Sequence, residues 1–198
     1  MAQQSASVRT RRRGKELEDA LYDATLAEVA AVGYGGLTME GIAARARTGK
    51  AALYRRWSSK RDLVGAALLY ALPPLPEPRS DRSVRENLLA AFAAHCDVVA
   101  GKTAFPGLVC MNQLLHEPEL RAIFADAVVG PRLRIIESIL QAGAVNGEID
   151  AAIQTPYTAR VGTALINQQV LLTGDPPNKR QLAQIVDTVI AHPSPAEI

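Results

Sequence analysis

The chain has 198 residues, 48% of them hydrophobic but only 5% aromatic, and with no sustained Val/Ile/Thr alternation this Ala- and Leu-rich composition predicts an all-α protein and argues against a sheet. The net charge of +2 conceals +6 over residues 1–61 (12 Lys/Arg against 6 Asp/Glu) and −4 over the remainder (10 against 14), a split expected of a basic module that meets a polyanion, carried by a body that does not. The polar N-terminus is no secretory signal, no apolar run reaches the length of a membrane span, and Cys96 and Cys110 form no CxxC pair, so a cytoplasmic chain with reduced thiols is expected.

Residues 1–14 read as a flexible basic arm carrying Arg9, Arg11, Arg12 and Arg13. Residues 15–61 read as a DNA-binding module and residues 62–198 as a larger helical domain. Leu21, Tyr22, Leu26, Val29 and Val32 give residues 15–32 one apolar face, and Gly33 ends that helix. Thr38 is a good N-cap for a second, short helix, with Leu37 and Ile42 at the positions of a hydrophobic staple. A turn through Arg47 and Thr48 leads to a third helix over residues 49–57. A fourth begins at Ser59, with Asp62 three residues on as a shortened capping box, and stops at the four prolines of residues 73–78. Further helical patterns cover 84–100, 106–115, 118–143 with a kink at Pro131, 151–172 and 179–190.

Two short helices joined by a tight turn, after a longer one, make a helix-turn-helix unit. Leu53 and Trp57 lie one turn apart on the third helix and face Ile42 and Ala46 of the second. Outward then lie Lys50, Ala51, Ala52, Tyr54 and Arg55, with Arg56 towards the flank. Small residues at the start of such a helix allow approach to base edges in the major groove, while basic and hydroxyl-bearing ones reach phosphates. Lys60 and Arg61 would lie near the same phosphates.

The stretch "LTMEGIAARARTGKAALYRRWSSKRDLV", residues 37–64, resembles the DNA-binding signature of the tetracycline-repressor (TetR) family. Thr38, Ile42, Ala43, Ala46, Leu53, Tyr54, Trp57, Lys60 and Leu63 match that signature at its spacing. Two positions depart from it: Arg47 stands where the family has a turn glycine, and Gly49 where it has a cap serine. Arg47 therefore calls for a left-handed backbone, and Thr48 is the candidate replacement cap. Together with the outward face, the resemblance makes Thr38, Arg47, Thr48, Gly49, Lys50 and Ala51 candidate DNA contacts, continued by Ala52, Tyr54, Arg55, Arg56 and Lys60.

The resemblance further implies a helical regulatory domain that dimerises through its last two long helices. Val161, Leu165, Ile166 and Leu172 on the first, with Leu182, Ile185, Val186 and Val189 on the second, are the candidate interface, and Gly162 and Ala164 would allow close crossing. The preceding helices would enclose a cavity for a small, mostly hydrophobic effector. Phe92, His95, Phe105, Met111, Asn112, Leu115 and Phe124 are its candidate walls. The function so implied is that of a homodimeric, ligand-responsive regulator, a repressor on a two-fold operator, and not an enzyme. It needs no cofactor and no metal. The competing readings are an all-helical ligand carrier or thiol enzyme and an effector-independent DNA-binding activator. His95, Cys96, Cys110 and His116 have no metal-ligand spacing, and the adjacent His95 and Cys96 point to different sides of a helix.

Overall fold

Leu17, Leu21, Ala24, Thr25 and Val29 repeat at helical spacing, and all are buried on one face of α1 (Lys15–Gly36). The computed structural model in which they are seen describes residues 14–103 and 116–191, and among these it contains helices and no strand. Gly33, at φ 71 and ψ 171, breaks α1 inside its span, so the continuous helix stops where the glycine predicted and Tyr34–Gly36 form an added turn. Val32, expected on the apolar face, is 49% exposed. The buried hydroxyl of Thr25 donates to the Leu21 carbonyl at 2.7 Å.

In α2 (Met39–Arg45) the Thr38 side chain accepts from the Gly41 N–H at 3.0 Å, the expected cap. Leu37 and Ile42 are both buried, as a staple requires. A short α3 (Lys50–Tyr54) follows, and then α4 (Lys60–Ala71), whose cap Ser59 accepts from the Asp62 N–H. Both serine hydroxyls, Ser58 and Ser59, donate back to the Asp62 carboxylate, and these bonds hold its pKa below the ordinary carboxylate value. Leu21, Leu37, Ile42, Leu53, Leu63 and Val64 are fully buried together. Trp57 closes this core with its ring edge-on to Tyr22 at 5.6 Å. α4, placed by sequence mostly with the larger domain, thus sends Leu63, Val64, Leu68 and Ala71 into the core of the smaller one.

The larger body begins with α5 (Val84–Val99), entered through a complete capping box of Ser83 and Glu86. Then come α6 (Pro118–Phe124), a π-helical turn over Ala125–Val129 and α7 (Gly130–Val145). Pro131 accounts for the π turn. It has no N–H to donate, and its ring would collide with the carbonyl four residues back. The chain widens instead, and the Gly130 N–H reaches the Ala125 carbonyl. The helix expected over 151–172 is in fact two elements, a 3₁₀ turn at Ala151–Ile153 and α8 (Thr158–Thr173). Pro156 splits them, because the residue before a proline is driven out of helical conformation. The Thr158 hydroxyl spans the break by donating to the Ile153 carbonyl. α9 (Lys179–Ile190) starts at a capping box of Asn178 and Gln181, and its bounds agree with the sequence pattern. The helix expected over 106–115 lies outside the described residues, as does the arginine arm.

A second core joins α5, α7, α8 and α9 around Leu88, Phe92, Ile136, Ile139, Ile166 and Val186. This corrects half of the expected dimer interface: Ile166, Leu182, Val186 and Val189 are buried inside the single chain. Their stripes face α5, since each helix of a small bundle must cover its most continuous apolar side. Phe92, expected as a cavity wall, is also fully buried core. The Gly162 backbone lies against its ring, so close that an added Cβ would overlap the ring carbons. Gly162→Ala should therefore destabilise the fold by about 1–3 kcal/mol through overpacking, measurable as a lowered midpoint in thermal or urea unfolding followed by circular dichroism.

Candidate nucleic-acid interface and regulatory cavity

The turn between α2 and α3 is closed by two backbone hydrogen bonds. Thr48 N–H donates to the Ala43 carbonyl at 2.9 Å and Arg47 N–H to the Ala44 carbonyl at 3.0 Å. This is the paired closure of a helix that ends on a left-handed residue. Arg47 supplies that residue with φ 55, and no other non-glycine residue described has a positive φ. Thr48, expected as the replacement cap of α3, does not cap it. Gly49 occupies the cap position, with no side-chain bond and open space around its Cα.

On the outer side of α3, Tyr54 is 54% exposed and Lys50, Ala51, Arg55 and Arg56 are exposed with it. Thr38, Arg47 and Gly49 are exposed on the same approach, and Thr48 is half-buried. Lys50 Nζ meets Glu40 Oε1 at 3.2 Å in an exposed pair, a contact weak enough for a phosphate to displace. Arg56 folds back to donate to the Ala52 carbonyl at 3.1 Å. Behind this face, Arg45 is tied to Glu28 of α1.

Two of the expected contacts are placed differently. Ala52 is buried: at 100° per residue it falls beside Leu53 on the inward edge of α3, and its methyl group fills the core. Lys60 is only half-exposed and donates to the carbonyls of Tyr34 at 3.0 Å and Leu37 at 3.4 Å. Its ammonium also lies 4.4 Å from the centre of the Tyr34 ring. It is engaged in tying the start of α4 to the α1–α2 connection.

A cavity of about 170 Å³ lies where the two bodies meet. Leu72 and Leu75 enter it from the exit of α4, Val98 and Val99 from α5, Phe124 and Val128 from the α6–π segment. Of the expected walls, His95 and Phe124 line it. Phe105, Met111, Asn112 and Leu115 lie outside the described residues. Its polar wall is His95, Arg132, Thr163 and Asn167. His95 Nε2 is 2.8 Å from Asn167 Oδ1. Burial lowers the His95 pKa from its ordinary value, and Arg132 lowers it further, against the raising effect of Asn167. Sequence reasoning missed Arg132, Thr163 and Asn167. Their spacing could have shown them: Arg132 is one turn before the core residue Ile136, and Thr163 and Asn167 are four apart between apolar neighbours on α8.

Cys96 is a free, buried thiol whose pKa burial raises to about 11, so it stays protonated and cannot serve as a thiolate nucleophile near neutral pH. Cys110 lies outside the described residues. Among the described residues there is no group of three His, Cys, Asp or Glu able to hold a metal, and no helix is long and apolar enough to cross a membrane.

Polar contacts bind the cavity side to the α1–α4 side. Gly35 N–H donates to Glu117 Oε2, just before α6, at 2.8 Å. Arg61 of α4 meets Asp126 of the π turn at 2.9 Å. Arg132 donates to the Pro73 carbonyl, just beyond α4.

A helix-turn-helix module fused through α4 to a helical domain with an apolar cavity defines a DNA-binding regulator. Residues 21–67 match the model of bacterial regulatory proteins of the tetR family, and residues 78–189 match the tetracyclin repressor-like C-terminal domain. The second match alone spans more than half of the chain, and the chain belongs to the TetR family of transcriptional regulators. An uncharacterized HTH-type transcriptional regulator of Mycobacterium tuberculosis is 29% identical over 158 residues, which is 80% of this chain and 78% of the relative. The DNA-binding transcriptional repressor TetR of Mycobacteroides abscessus is 23% identical over 190 residues, covering 90% and 94%. Among solved structures, the TetR family transcription regulator SCO0332 superposes with a TM-score of 0.64 at 20% identity, covering 91% of this chain and 100% of that one. At that identity the likeness is one of fold.

Arg47→Gly should raise stability by about 1 kcal/mol, because glycine adopts the left-handed turn without the Cβ penalty. A higher melting temperature than that of the parent checks it.

Proposed function

We propose that the chain is a homodimeric repressor that leaves a two-fold operator when a small effector fills the cavity. The observation that carries this reading is the position of α4. Leu63 and Val64 of α4 lie in the core that holds α3, and Leu72 at its end lines the cavity. A ligand that favours a different seating of Leu72 thereby favours a different attitude of α3, and the equilibrium shifts by its preference between the two. The name of the Mycobacteroides abscessus relative, a repressor, favours the negative sign of regulation.

In this reading Tyr54, Lys50, Arg55 and Arg47 contact phosphates, and Ala51 lets α3 approach base edges. Gly49 and the Thr38 hydroxyl sit close to the same backbone, and Arg56 lies at the flank. Ala52 and Lys60 act from behind, one as core and one as a tether.

A single short recognition helix reads few bases, so a second copy is required for a useful site. The dimer face is the outer stripe of α8. Leu165 and Leu172 are exposed there, at 37% and 73%, with half-buried Val161 on the same side and half-buried Ile185 on α9. Ile166, Leu182, Val186 and Val189 have no part in it.

Selection from random duplexes should enrich a two-fold site; enrichment of none would refute the reading. Tyr54→Ala and Arg55→Ala should each weaken operator binding about tenfold or more, the scale of a lost charged or well-placed phosphate contact, with unchanged melting temperature. Leu165→Lys with Leu172→Lys should give a folded monomer by analytical ultracentrifugation that has lost high-affinity operator binding. A stable dimer in that variant would move the interface elsewhere.

A further inference from the structure

Among the described residues the wall of the cavity is apolar except at four side chains, and of these only Arg132 carries a permanent charge. Among the described residues no Asp or Glu lines the cavity. Arg132 makes no ion pair among the described residues. Among the described residues its guanidinium has one bond, from Nη2 to the Pro73 carbonyl, while Nη1 is buried without an acceptor. Arg132 is half-buried, with Nη2 towards the surface and Nη1 turned away from water, and a buried guanidinium N–H without an acceptor or a counter-charge is a costly arrangement. Guanidinium cannot relieve it by losing its proton near neutral pH. Its planar fork is matched by a carboxylate.

We propose that the effector is a small apolar monocarboxylic acid whose carboxylate is bound by Arg132. This rests on the reading of the cavity as the effector site and names the chemistry that fills it. The size of the space sets the rest of the molecule. A cavity of about 150 Å³ holds a benzene ring, and the one here measures about 170 Å³. The apolar body is therefore one aromatic ring or a short branched or linear chain, seated against Leu75, Val98, Val99, Phe124 and Val128. The neutral His95–Asn167 pair leaves the cavity with no second cation to demand a dianion, and Thr163 adds a hydroxyl for a single further hydrogen bond. A neutral ligand of the same shape, such as the amide, can offer Nη1 a carbonyl oxygen but no counter-charge; an amine adds a like charge.

The position of Arg132 also gives the acid a route to α4. The guanidinium that takes the carboxylate is the one bonded to the Pro73 carbonyl, two residues beyond the end of α4. Bidentate capture of the carboxylate would use the Nη2 proton now donated to Pro73 or its neighbour on the same nitrogen, so the acid and the α4 exit share one donor group.

The test is calorimetric titration of the full chain with benzoate, phenylacetate, 3-methylbutanoate and octanoate, each beside its primary amide. At least one acid should bind about tenfold or more tightly than its amide, the size of one charge-assisted hydrogen bond. Arg132→Gln should remove that difference while leaving the affinity for the amide within about twofold. Should that variant fail to fold, the comparison of acid with amide on the unaltered chain still decides. Amides binding as tightly as their acids, or no acid binding at all, would overturn the proposal. Operator release is read separately. An acid that binds through Arg132 without releasing DNA upholds the site and refutes ligand-driven release, whereas release by the amides alone refutes the site and upholds release.

Discussion

The arrangement turns on a helix that belongs to both cores. α4 packs Leu63, Val64 and Leu68 against α1 and the helix-turn-helix pair, and Leu72 just past its end lines the cavity. A close-packed interior does not deform continuously, so a change at one end of such a helix is passed on as a displacement. The first core is itself not confined to the N-terminal helices. It takes in Val98 of α5, Leu120 and Ile123 of α6 and Val128 of the π turn. The DNA module and the regulatory body therefore share apolar contact, and any motion between them must keep that surface buried.

Polar contacts define where the sharing is fixed and where it can slide. Glu117 accepts from Gly35 just after the break in α1, and Lys60 holds the Tyr34 and Leu37 carbonyls from the other side. The α1–α2 connection is thus pinned between the starts of α4 and α6. Arg61–Asp126, by contrast, is an exposed ion pair, worth little and easily exchanged for water. The π turn beneath it is the one place in the α6–α7 run where the helical ladder is already interrupted. Such turns concentrate at functional sites because they shift register at small cost, and this one presents Val128 and Val129 to the cavity.

Local rules were enough for much of this. The Thr38 and Ser59 caps and the Leu37–Ile42 staple follow from chemistry within four residues, and each appears as the sequence implied; the left-handed Arg47 was implied by the resemblance, whose signature has a glycine at that position. Apolar stripes were equally legible, but not what they cover. Ile166 and Leu165 are adjacent on α8, one buried and one exposed, and nothing in the periodicity says which side meets α5 and which a second copy. The split at Pro156 is legible in the proline itself, although the apolar pattern runs on across it. The partners of Lys60 and Arg132 could not be read from the sequence, because Tyr34, Leu37 and Pro73 lie 23 to 59 residues away. A motif names the residue type at a position; only the fold shows whether its charge faces solvent or is spent indoors.

The two departures from the family signature fall in one turn and act in the same direction. Arg47 in the left-handed region costs about 1 kcal/mol, and glycine in place of serine at the cap of α3 costs a few tenths more. A five-residue helix has no intrinsic stability to set against this. What holds it is burial: Leu53 and Trp57 lie in the first core at 0% and 8% exposure, and burying each such side chain contributes roughly 1.5–3 kcal/mol. Tertiary packing therefore exceeds the local losses, and the turn can afford a cation where glycine would be more comfortable. With its backbone amide closed onto Ala44, Arg47 leaves only its side chain free, directed from the exposed corner that precedes α3. A cation at that corner adds positive charge beside the start of α3 without covering the exposed face on which the small Ala51 lies.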